Sequence, residues 1–202
     1  MKWSSTTSRR SPAQTPLPLR IHYTTTKKPP TAKTIWLFKP SSGEAKQISP
    51  IGATVATGLS TSGIVWSADS KKLAFVIFPS AFSGDSDLGR IHLADLELGK
   101  VTPVTTNTGM ESPITFSDDA KKLYFSYKRE GIPANMSDVH VIDLASRNIE
   151  NISSDLDRTI YGLEILPDNK MVFMGLDADR FKIWERNRRG EFKSIDLGEL
   201  VS

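Results

Sequence analysis

The chain contains no cysteine, which excludes disulfides, thiolate metal ligands and a cysteine nucleophile. It also lacks a long apolar run, because the best one, Leu73–Phe78, is far shorter than the ~20 residues needed to cross a bilayer. The N-terminal residues lack the apolar core of a secretory signal. These absences predict a chain without a membrane span and favour a cytoplasmic location, although they do not define the compartment.

Acidic residues are missing from positions 1–43, which carry 8 of the 26 lysines and arginines. The other 159 residues carry the remaining 18 bases and all 23 acids, a net charge of −5, so the overall charge of +3 hides a segregation. A mildly acidic body argues against nucleic acid as a partner. The basic Ser/Thr/Pro-rich stretch 1–33 is predicted to be a disordered tail, the first part that limited proteolysis should remove.

A repeat of about 50 residues organises the rest of the chain. Its copies are WSADSKKLAF (66–75), FSDDAKKLYF (116–125) and, more weakly, ILPDNKMVF (165–173). Read without gaps, the copies place Val172 in register with Leu73 and Leu123. Each copy has the pattern of an apolar strand, a polar turn and a second apolar strand, which predicts a recurring hairpin.

A second strand pair follows each hairpin. Its copies are IWLFKPSSGEAKQIS (35–49), RIHLADLELGKVTPVT (90–105), VHVIDLASRNIENIS (139–153) and FKIWERNRRGEFKSI (181–195). Apolar and polar residues alternate at period two, as in strands with one buried face. Joining the two motifs gives four antiparallel strands, which is the blade of a β-propeller.

The sequence therefore predicts an all-β fold, a partial β-propeller of about three and a half four-stranded antiparallel blades. After the tail at 1–33, the propeller segment covers 34–202, with a half blade at 34–49 and blades at about 60–106, 111–154 and 158–197. Half a blade plus three blades does not close a ring, and closure protects strand edges. We therefore expect a fragment of a longer propeller protein; completion by a second chain is the alternative.

These motifs resemble the TolB-like (WD-type) propeller repeat, in which a Trp-Ser-Pro-Asp-Gly-Lys hairpin and a Tyr-hydrophobe-Asp-Leu strand recur. The resemblance covers roughly residues 34–196, with Ser70 and Ala120 standing where glycine is usual. The same repeat builds the N-terminal propeller of prolyl oligopeptidase family serine peptidases, including dipeptidyl and acylaminoacyl peptidases. The resemblance implies that such a propeller covers an active site and screens peptide substrates by size.

A hydrolase of that family carries its nucleophile on a Gly-x-Ser-x-Gly turn, which this sequence lacks. His92 and His140 repeat at one strand position, which Trp36 and Lys182 are predicted to fill in the other units, so we interpret both as structural. We predict no catalytic, cofactor-binding or metal-binding residue in this chain. Whether the full-length protein is an enzyme stays open.

Repeated aspartates are interpreted as structural for the same reason. Asp69, Asp119 and Asp168 recur in the hairpin turns, where an aspartate side chain can bond its own backbone. Asp95 and Asp143 recur at the ends of equivalent strands. Successive blades would hold these carboxylates far apart, so a shared metal ion is not expected.

The least repetitive segments, 79–89 and 128–138, each link the second and third strands of a blade. They share one face with the blade-to-blade links near 50–61, 106–111 and 154–158, and loops on a rigid scaffold commonly carry function. The polar residues selected there as candidate contacts are Asp85, Asp87, Arg129 and Glu130.

The predicted function is that of a non-catalytic, substrate-gating propeller segment whose partner is an α/β-hydrolase domain or another protein or peptide. The alternative is a TolB-like module that binds proteins. An open arc of blades should also self-associate, because the flanks of its end blades are uncovered. We expect Ile35, Leu37, Tyr161 and Leu163 to be exposed there.

Overall fold

The computed structural model describes residues 33–55, 63–80, 87–166, 170–196 and 198. Its strands are β1 (Trp36–Lys39), β2 (Glu44–Gln47), β3 (Thr54–Val55), β4 (Ile64–Trp66), β5 (Lys72–Phe78), β6 (Arg90–Asp95), β7 (Lys100–Pro103), β8 (Glu111–Phe116), β9 (Lys122–Lys128), β10 (Ser137–Asp143), β11 (Ile149–Asn151), β12 (Thr159–Ile165), β13 (Met171–Asp177), β14 (Arg180–Arg186) and β15 (Phe192–Ile195). Two short 3-10 turns, Arg129–Gly131 and Ser154–Leu156, lie between strands. In these described ranges, no helix is long and apolar enough to cross a membrane.

The strands form antiparallel sheets that follow the chain order. We call β1–β2 the half-blade, β3–β7 blade 1, β8–β11 blade 2 and β12–β15 blade 3. Blades 2 and 3 are four-stranded, and in blade 1 the short strands β3 and β4 pair with opposite ends of β5. The predicted all-β architecture of antiparallel blades is confirmed. Strand β3 was not predicted, because two residues are too few to show a period of two.

The hairpin turns of blades 1 and 2 are built in the same way. Asp69 Oδ1 accepts the Lys71 N–H at 3.1 Å and the Ser67 hydroxyl at 2.5 Å, and Ser67 Oγ accepts the Lys72 N–H at 2.9 Å. The equivalent bonds of Asp119 are 3.1 Å and 2.7 Å. Hydrogen bonds from the serine hydroxyls lower the pKa of both carboxyls. The turn role of these aspartates is confirmed, whereas Asp168 lies outside the described residues.

Two residues that replace the usual glycine of these turns still adopt the backbone conformation typical of glycine. Ser70 has a φ of 59° and Ala120 a φ of 55°, both in the left-handed region. This conformation costs a non-glycine residue free energy, which the serine–aspartate bonds around the turn offset. Asp95 and Asp143 likewise accept backbone N–H groups two and three residues later, at 2.8–3.1 Å. Their structural role is confirmed.

The hairpin of blade 3 is one residue shorter than the other two, and this overturns the ungapped register. In blade 2 the turn closes from Ser117 N to Lys122 O, whereas in blade 3 it closes from Leu166 N to Lys170 O. Met171, not Val172, therefore occupies the position of Leu73 and Leu123. A one-residue shift exchanges the two faces of a strand.

The corrected register also changes the position that the histidines share. His92 pairs with Phe75, His140 with Phe125, and Trp184 with Phe173. The residue of blade 3 at the histidine position is therefore Trp184, and the assignment of Lys182 was wrong. The two positions differ by two residues, because the sequence comparison aligned Phe181 with Val139, whereas the pairing of β14 with β13 places Lys182 opposite Gly175.

The hydrophobic core lies between the sheets. One cluster, centred on Leu73 and Phe75, joins the half-blade to blade 1. A second, containing Phe125, joins blades 1 and 2, and a third, containing Phe173, joins blades 2 and 3. All four of these side chains are 0% exposed. At these three interfaces, neighbouring repeats cover each other's apolar sheet faces, as in a stacked array.

The far face of blade 3 has no such cover among the described residues. Tyr161 is 60% and Phe181 53% exposed, and their rings meet edge to face at 5.8 Å. The expectation for the end flanks was wrong at two positions. Ile35 is fully buried because it faces blade 1, and Leu163 is 8% exposed because it faces blade 2.

Candidate functional site

The candidate site is one end of the blades, which we call the loop face. It carries the β9–β10 loop (129–136), the β13–β14 turn (178–179) and the described parts of the β5–β6 loop (79–80 and 87–89). The links after β7 and β11 lie at the same end. The opposite end carries the tight hairpin turns. The predicted candidates Asp87, Arg129 and Glu130 lie on the loop face, and Asp85 falls outside the described residues.

Arg129 bridges blade 2 to the link that leads into blade 3. Its Nε and Nη2 donate to the two carboxylate oxygens of Asp138 at 3.0 and 3.1 Å, and its Nη1 donates to Asp157 Oδ1 at 2.9 Å. The bonds to Asp138, followed by those to Asp157, raise the pKa of Arg129 above its usual range. This bidentate geometry fixes the planar guanidinium in one orientation. Arg129 therefore connects the predicted β9–β10 loop to β10 and to the link that precedes β12.

Asp138 is a buried charge that is fully paired. Its side chain is 0% exposed, and Oδ2 also accepts Asn151 Nδ2 at 3.0 Å. A buried carboxylate left without a partner would cost several kcal/mol. Asp138 and Arg129 therefore depend on each other, and sequence reasoning identified only the arginine. The signal for Asp138 was weak, since it is one of many acids in the chain.

Glu130 and Asp87 are available for contacts. Glu130 is exposed and has a φ of 57° and a ψ of 13° inside the 3-10 turn. A non-glycine residue in this region is held there by its surroundings, here a hydrogen bond from Asn135 Nδ2 to Arg129 O at 3.0 Å. Asp87 is exposed at the end of the β5–β6 loop. Neither carboxylate forms an ion pair with another described residue.

The link after blade 1 packs tightly against the β9–β10 loop. A Cβ on Gly109 would lie 2.8 Å from Gly131 O, and a Cβ on Gly131 would lie 2.4 Å from the Tyr127 hydroxyl. Both positions therefore require glycine. Arg90 Nη1 donates to Gly109 O at 2.7 Å and fixes the same link to blade 1. The loop face is a packed surface in this region.

Glu111 is the residue that sequence reasoning missed most clearly. Its side chain is 0% exposed at the start of β8, where its carboxylate accepts Ile91 N at 3.0 Å, Asn107 Nδ2 at 2.7 Å and the Thr105 hydroxyl. These donors satisfy the buried charge. Glu111 thus connects β6 of blade 1 to β8 of blade 2.

The same strand-end position is capped by a serine elsewhere. Ser49 Oγ accepts the Ile35 N–H at 3.1 Å, and Ser153 Oγ accepts the Val139 N–H at 2.8 Å. Both serines are almost fully buried. The repeated hydroxyl at Ser49, Thr105 and Ser153 was the available signal. In blade 1, Thr105 donates its hydroxyl to Glu111, and Glu111 accepts the Ile91 N–H in place of the hydroxyl.

A second charged group lies on the loop face of blade 3. Asp177 accepts Arg158 Nε at 2.7 Å through Oδ1 and binds Lys182 Nζ through Oδ2. Hydrogen bonds from Lys182 and then Arg158 lower the pKa of Asp177. All three side chains are partly exposed. The group therefore remains accessible to a ligand, unlike Asp138.

His140 packs against two aromatic side chains of β9. Its ring stacks on Phe125 at 5.5 Å and meets Tyr127 edge to face at 5.7 Å. Nδ1 is buried and has no hydrogen-bond partner among the described residues. Burial lowers the pKa of His140, because it disfavours the charged ring. In the described ranges no three His, Asp or Glu residues come together in a group able to hold a metal ion.

Comparison with known proteins shows the fold. No protein-family model and no curated protein matches the sequence. Solved structures do match. TolB from Acinetobacter baumannii matches 82% of this chain with a TM-score of 0.55 and 19% identity. An oligogalacturonate lyase from Vibrio parahaemolyticus matches 84% with a TM-score of 0.58 and 14% identity, and the tricorn protease matches 81% with a TM-score of 0.56 and 14% identity. The fold is therefore that of a TolB-like β-propeller, as predicted.

The chain spans only part of each of these proteins: 38% of the TolB chain, 48% of the lyase chain and 16% of the tricorn protease chain. At identities below 20%, the likeness concerns the backbone and its repeat. One fold carries many functions, so the site has to indicate the function.

Proposed function

We propose that this chain is a non-catalytic propeller segment of a larger protein, and that its loop face gates peptide substrates for a hydrolase domain of the prolyl oligopeptidase type. The observation that carries the proposal is the asymmetry of the blades. Long, non-repeated loops on one face are fixed by contacts such as the bidentate bond of Arg129 to the buried Asp138, while the opposite face has only tight turns. A rigid loop surface with free carboxylates suits recognition of peptides.

A TolB-like protein-binding module is the second candidate. The structural likeness to TolB supports it, and so does the accessible group of Arg158, Asp177 and Lys182, which offers charges of both signs to a folded partner. The two candidates differ in the ligand. A gating segment contacts short, extended peptides, whereas a protein-binding module needs a folded surface.

Binding of labelled short peptides, followed by fluorescence anisotropy, tests the proposal. The loop-face variant Asp87→Ala/Glu130→Ala should bind several-fold more weakly than the parent chain. The matched control Glu44→Ala/Asp118→Ala removes two exposed carboxylates from the opposite face and should bind like the parent. Equal binding by all three proteins, or no peptide binding, would overturn the gating role. Binding to folded proteins alone would favour the second candidate.

The gene around this reading frame provides an independent test. A gating segment predicts an in-frame Gly-x-Ser-x-Gly followed by an aspartate and a histidine. The purified chain should hydrolyse neither chromogenic peptides nor esters, because it has no such turn. Hydrolysis that disappears on substitution of a single serine would contradict this expectation.

A further inference from the structure

The half-blade has an unused strand edge. In blades 1, 2 and 3 the strand equivalent to β1 lies between two partners, whereas β1 pairs only with β2 among the described residues. Ile35 O and Lys39 O accept N–H groups from the β2 side, at 2.9 and 3.0 Å. Because backbone groups alternate along an antiparallel strand, those of Trp36 and Phe38 face the unused edge. Such an edge is a template for another strand.

The register of the other blades defines what should pair with this edge. Ile35 O accepts Ile48 N in the same way as Ile91 O accepts Val104 N and Val139 O accepts Ile152 N. Trp36 therefore has the position of His92 and His140. The residues opposite those histidines, Phe75 and Phe125, are 0% exposed. The missing strand should place an aromatic residue opposite Trp36.

Residues 20–26, RIHYTTT, have the pattern of the second strand of a blade. The strands to compare are KLAFVIF (72–78), KLYFSYK (122–128) and, in the corrected register, KMVFMGL (170–176). Arg20 matches the first lysine, Ile21 the next apolar residue and Tyr23 the phenylalanine that is 0% exposed in every blade. The three threonines that follow are β-branched and favour strands.

We propose that residues 20–26 pair with the free edge of β1 as an antiparallel strand, with Tyr23 opposite Trp36 and Arg20 opposite Lys39. The first blade of this chain then has three strands instead of two. This inference is independent of the proposed function. It restricts the expectation of a disordered tail to the residues that precede the new strand.

The connection is long enough for this pairing. Residues 27–32 would join the two strands, compared with residues 129–136 in blade 2 and only two residues in blade 3. Pro29 and Pro30 fall within the connection, where the missing N–H groups are not needed. Ile21 and Tyr23 would lie on the same face as Phe38 and Trp36. Trp36 is 36% exposed, so the added strand would cover an aromatic side chain.

A cross-strand disulfide tests the register directly, because the chain has no cysteine of its own. In blades 1 and 2 the pairs equivalent to Arg20–Lys39 are Lys72–Asp95 and Lys122–Asp143. They are non-hydrogen-bonded pairs, with Cα atoms about 4.5 Å apart, which a disulfide can bridge. The variant Arg20→Cys/Lys39→Cys should therefore oxidise readily in a glutathione buffer, as followed by thiol counting and peptide mapping.

The matched control is Thr24→Cys/Lys39→Cys. In the proposed register its Cα atoms lie about 13 Å apart along the strand, too far for a disulfide. The effective concentration of the Arg20→Cys pair should exceed that of the control by about tenfold or more. If residues 20–26 do not pair with β1, the control pair should have the higher effective concentration, because the loop between positions 24 and 39 is shorter than the loop between 20 and 39. That result, or a disulfide formed between two chains, would overturn the proposal.

Truncation gives a second measurement that requires no engineered bond. A chain beginning at Gln14 should keep the thermal midpoint of the full chain, whereas a chain beginning at Lys33 should melt several degrees lower. The amide protons of Ile21 and Tyr23 should also exchange more slowly than that of His22, because only alternate N–H groups face β1. Equal midpoints together with unprotected amides would overturn the proposal.

Discussion

Blades 2 and 3 are built from the same unit, yet their outer faces have different surroundings. Blade 2 lies between two neighbours, and Phe125 and Tyr124 on its opposite faces are 0% and 6% exposed. Blade 3 packs on blade 2 through Phe173, while Tyr161 and Phe181 on its other face are more than half exposed. The strand pattern is the same in both blades. Burial therefore depends on the neighbouring blade and not on the repeat itself.

The charged contacts show the same difference. Arg129, whose side chain is 31% exposed, forms a bidentate pair with the fully buried Asp138 where blade 2 meets the link to blade 3. In blade 3, Asp177 and Arg158 form a partly exposed pair. Buried charges gain stability only with complete partners, and exposed pairs contribute little. Substitutions that compare these positions should therefore give large effects in blade 2 and small effects in blade 3.

The largest expected effect is that of truncating a core phenylalanine. Phe125→Ala should lower the free energy of unfolding by about 3–5 kcal/mol, because it leaves a cavity between blades 1 and 2. Phe181→Ala in blade 3 should cost less than about 0.5 kcal/mol, since its side chain is exposed. Urea unfolding with matched m-values measures both. A similar loss in the two variants would show that blade 3 has a covered outer face in solution.

Removing the inter-blade arginine should have the next largest effect. Arg129→Ala leaves Asp138 buried without its main partner and should cost about 3 kcal/mol. Arg158→Ala, at the exposed pair, should cost less than about 1 kcal/mol. Combining Arg129→Ala with Asp138→Asn should recover part of the loss, because the unpaired charge is removed. Failure of this rescue in urea unfolding would contradict the assigned cause.

The exposed face of blade 3 should drive self-association of the isolated chain. Burying several hundred Å² of apolar surface favours association by several kcal/mol at about 25 cal/mol per Å², before entropic costs. Sedimentation at micromolar concentration should show dimers or larger species. Tyr161→Lys/Phe181→Lys should shift them towards monomer, whereas Asp118→Lys, on the hairpin turn of blade 2, should not. A parent chain that sediments as a compact monomer would refute this expectation.

The smallest expected effect is a pH dependence from His140. Burial lowers its pKa below the ordinary 6.5, and the negative charges of Asp138 and Glu111 oppose this only in part. As the pH falls below about 6.5, the unfolded chain binds a proton before the folded chain does, so stability decreases. His140→Phe should reduce the slope of stability against pH between about pH 7 and 5. An unchanged slope would show that other groups cause it.

Much of the fold follows from local patterns that the sequence displays openly. Period-two alternation located fourteen of the fifteen described strands, omitting only β3. The recurring serine and aspartate of the hairpins indicated turns, and hydrogen bonds at Asp69 and Asp119 confirm them. The register of blade 3 could not be obtained in this way. A turn shortened by one residue leaves the residue types similar but exchanges the two faces of β13.

The candidate site was only partly predictable. The loop face followed from where the repeat is interrupted, and Arg129 lies on it. Its function as a fastening between blades depends on Asp138 and Asp157, nine and 28 residues away. Glu111 itself gave no signal beyond the repeated hydroxyl at Ser49, Thr105 and Ser153, because a single acid at the start of a strand is ordinary in a sequence. Its importance comes from the three donors that the fold brings to it.

The sequence by itself determined the repeat, the antiparallel strands within each blade and the absence of a Gly-x-Ser-x-Gly turn. These properties depend on neighbours along the chain, so periodicity and turn residues are sufficient to specify them. Only the tertiary structure decided which faces are buried, which charges are paired and which strand edge is left free. These properties depend on contacts between blades, where residues far apart in the sequence exclude water from one another.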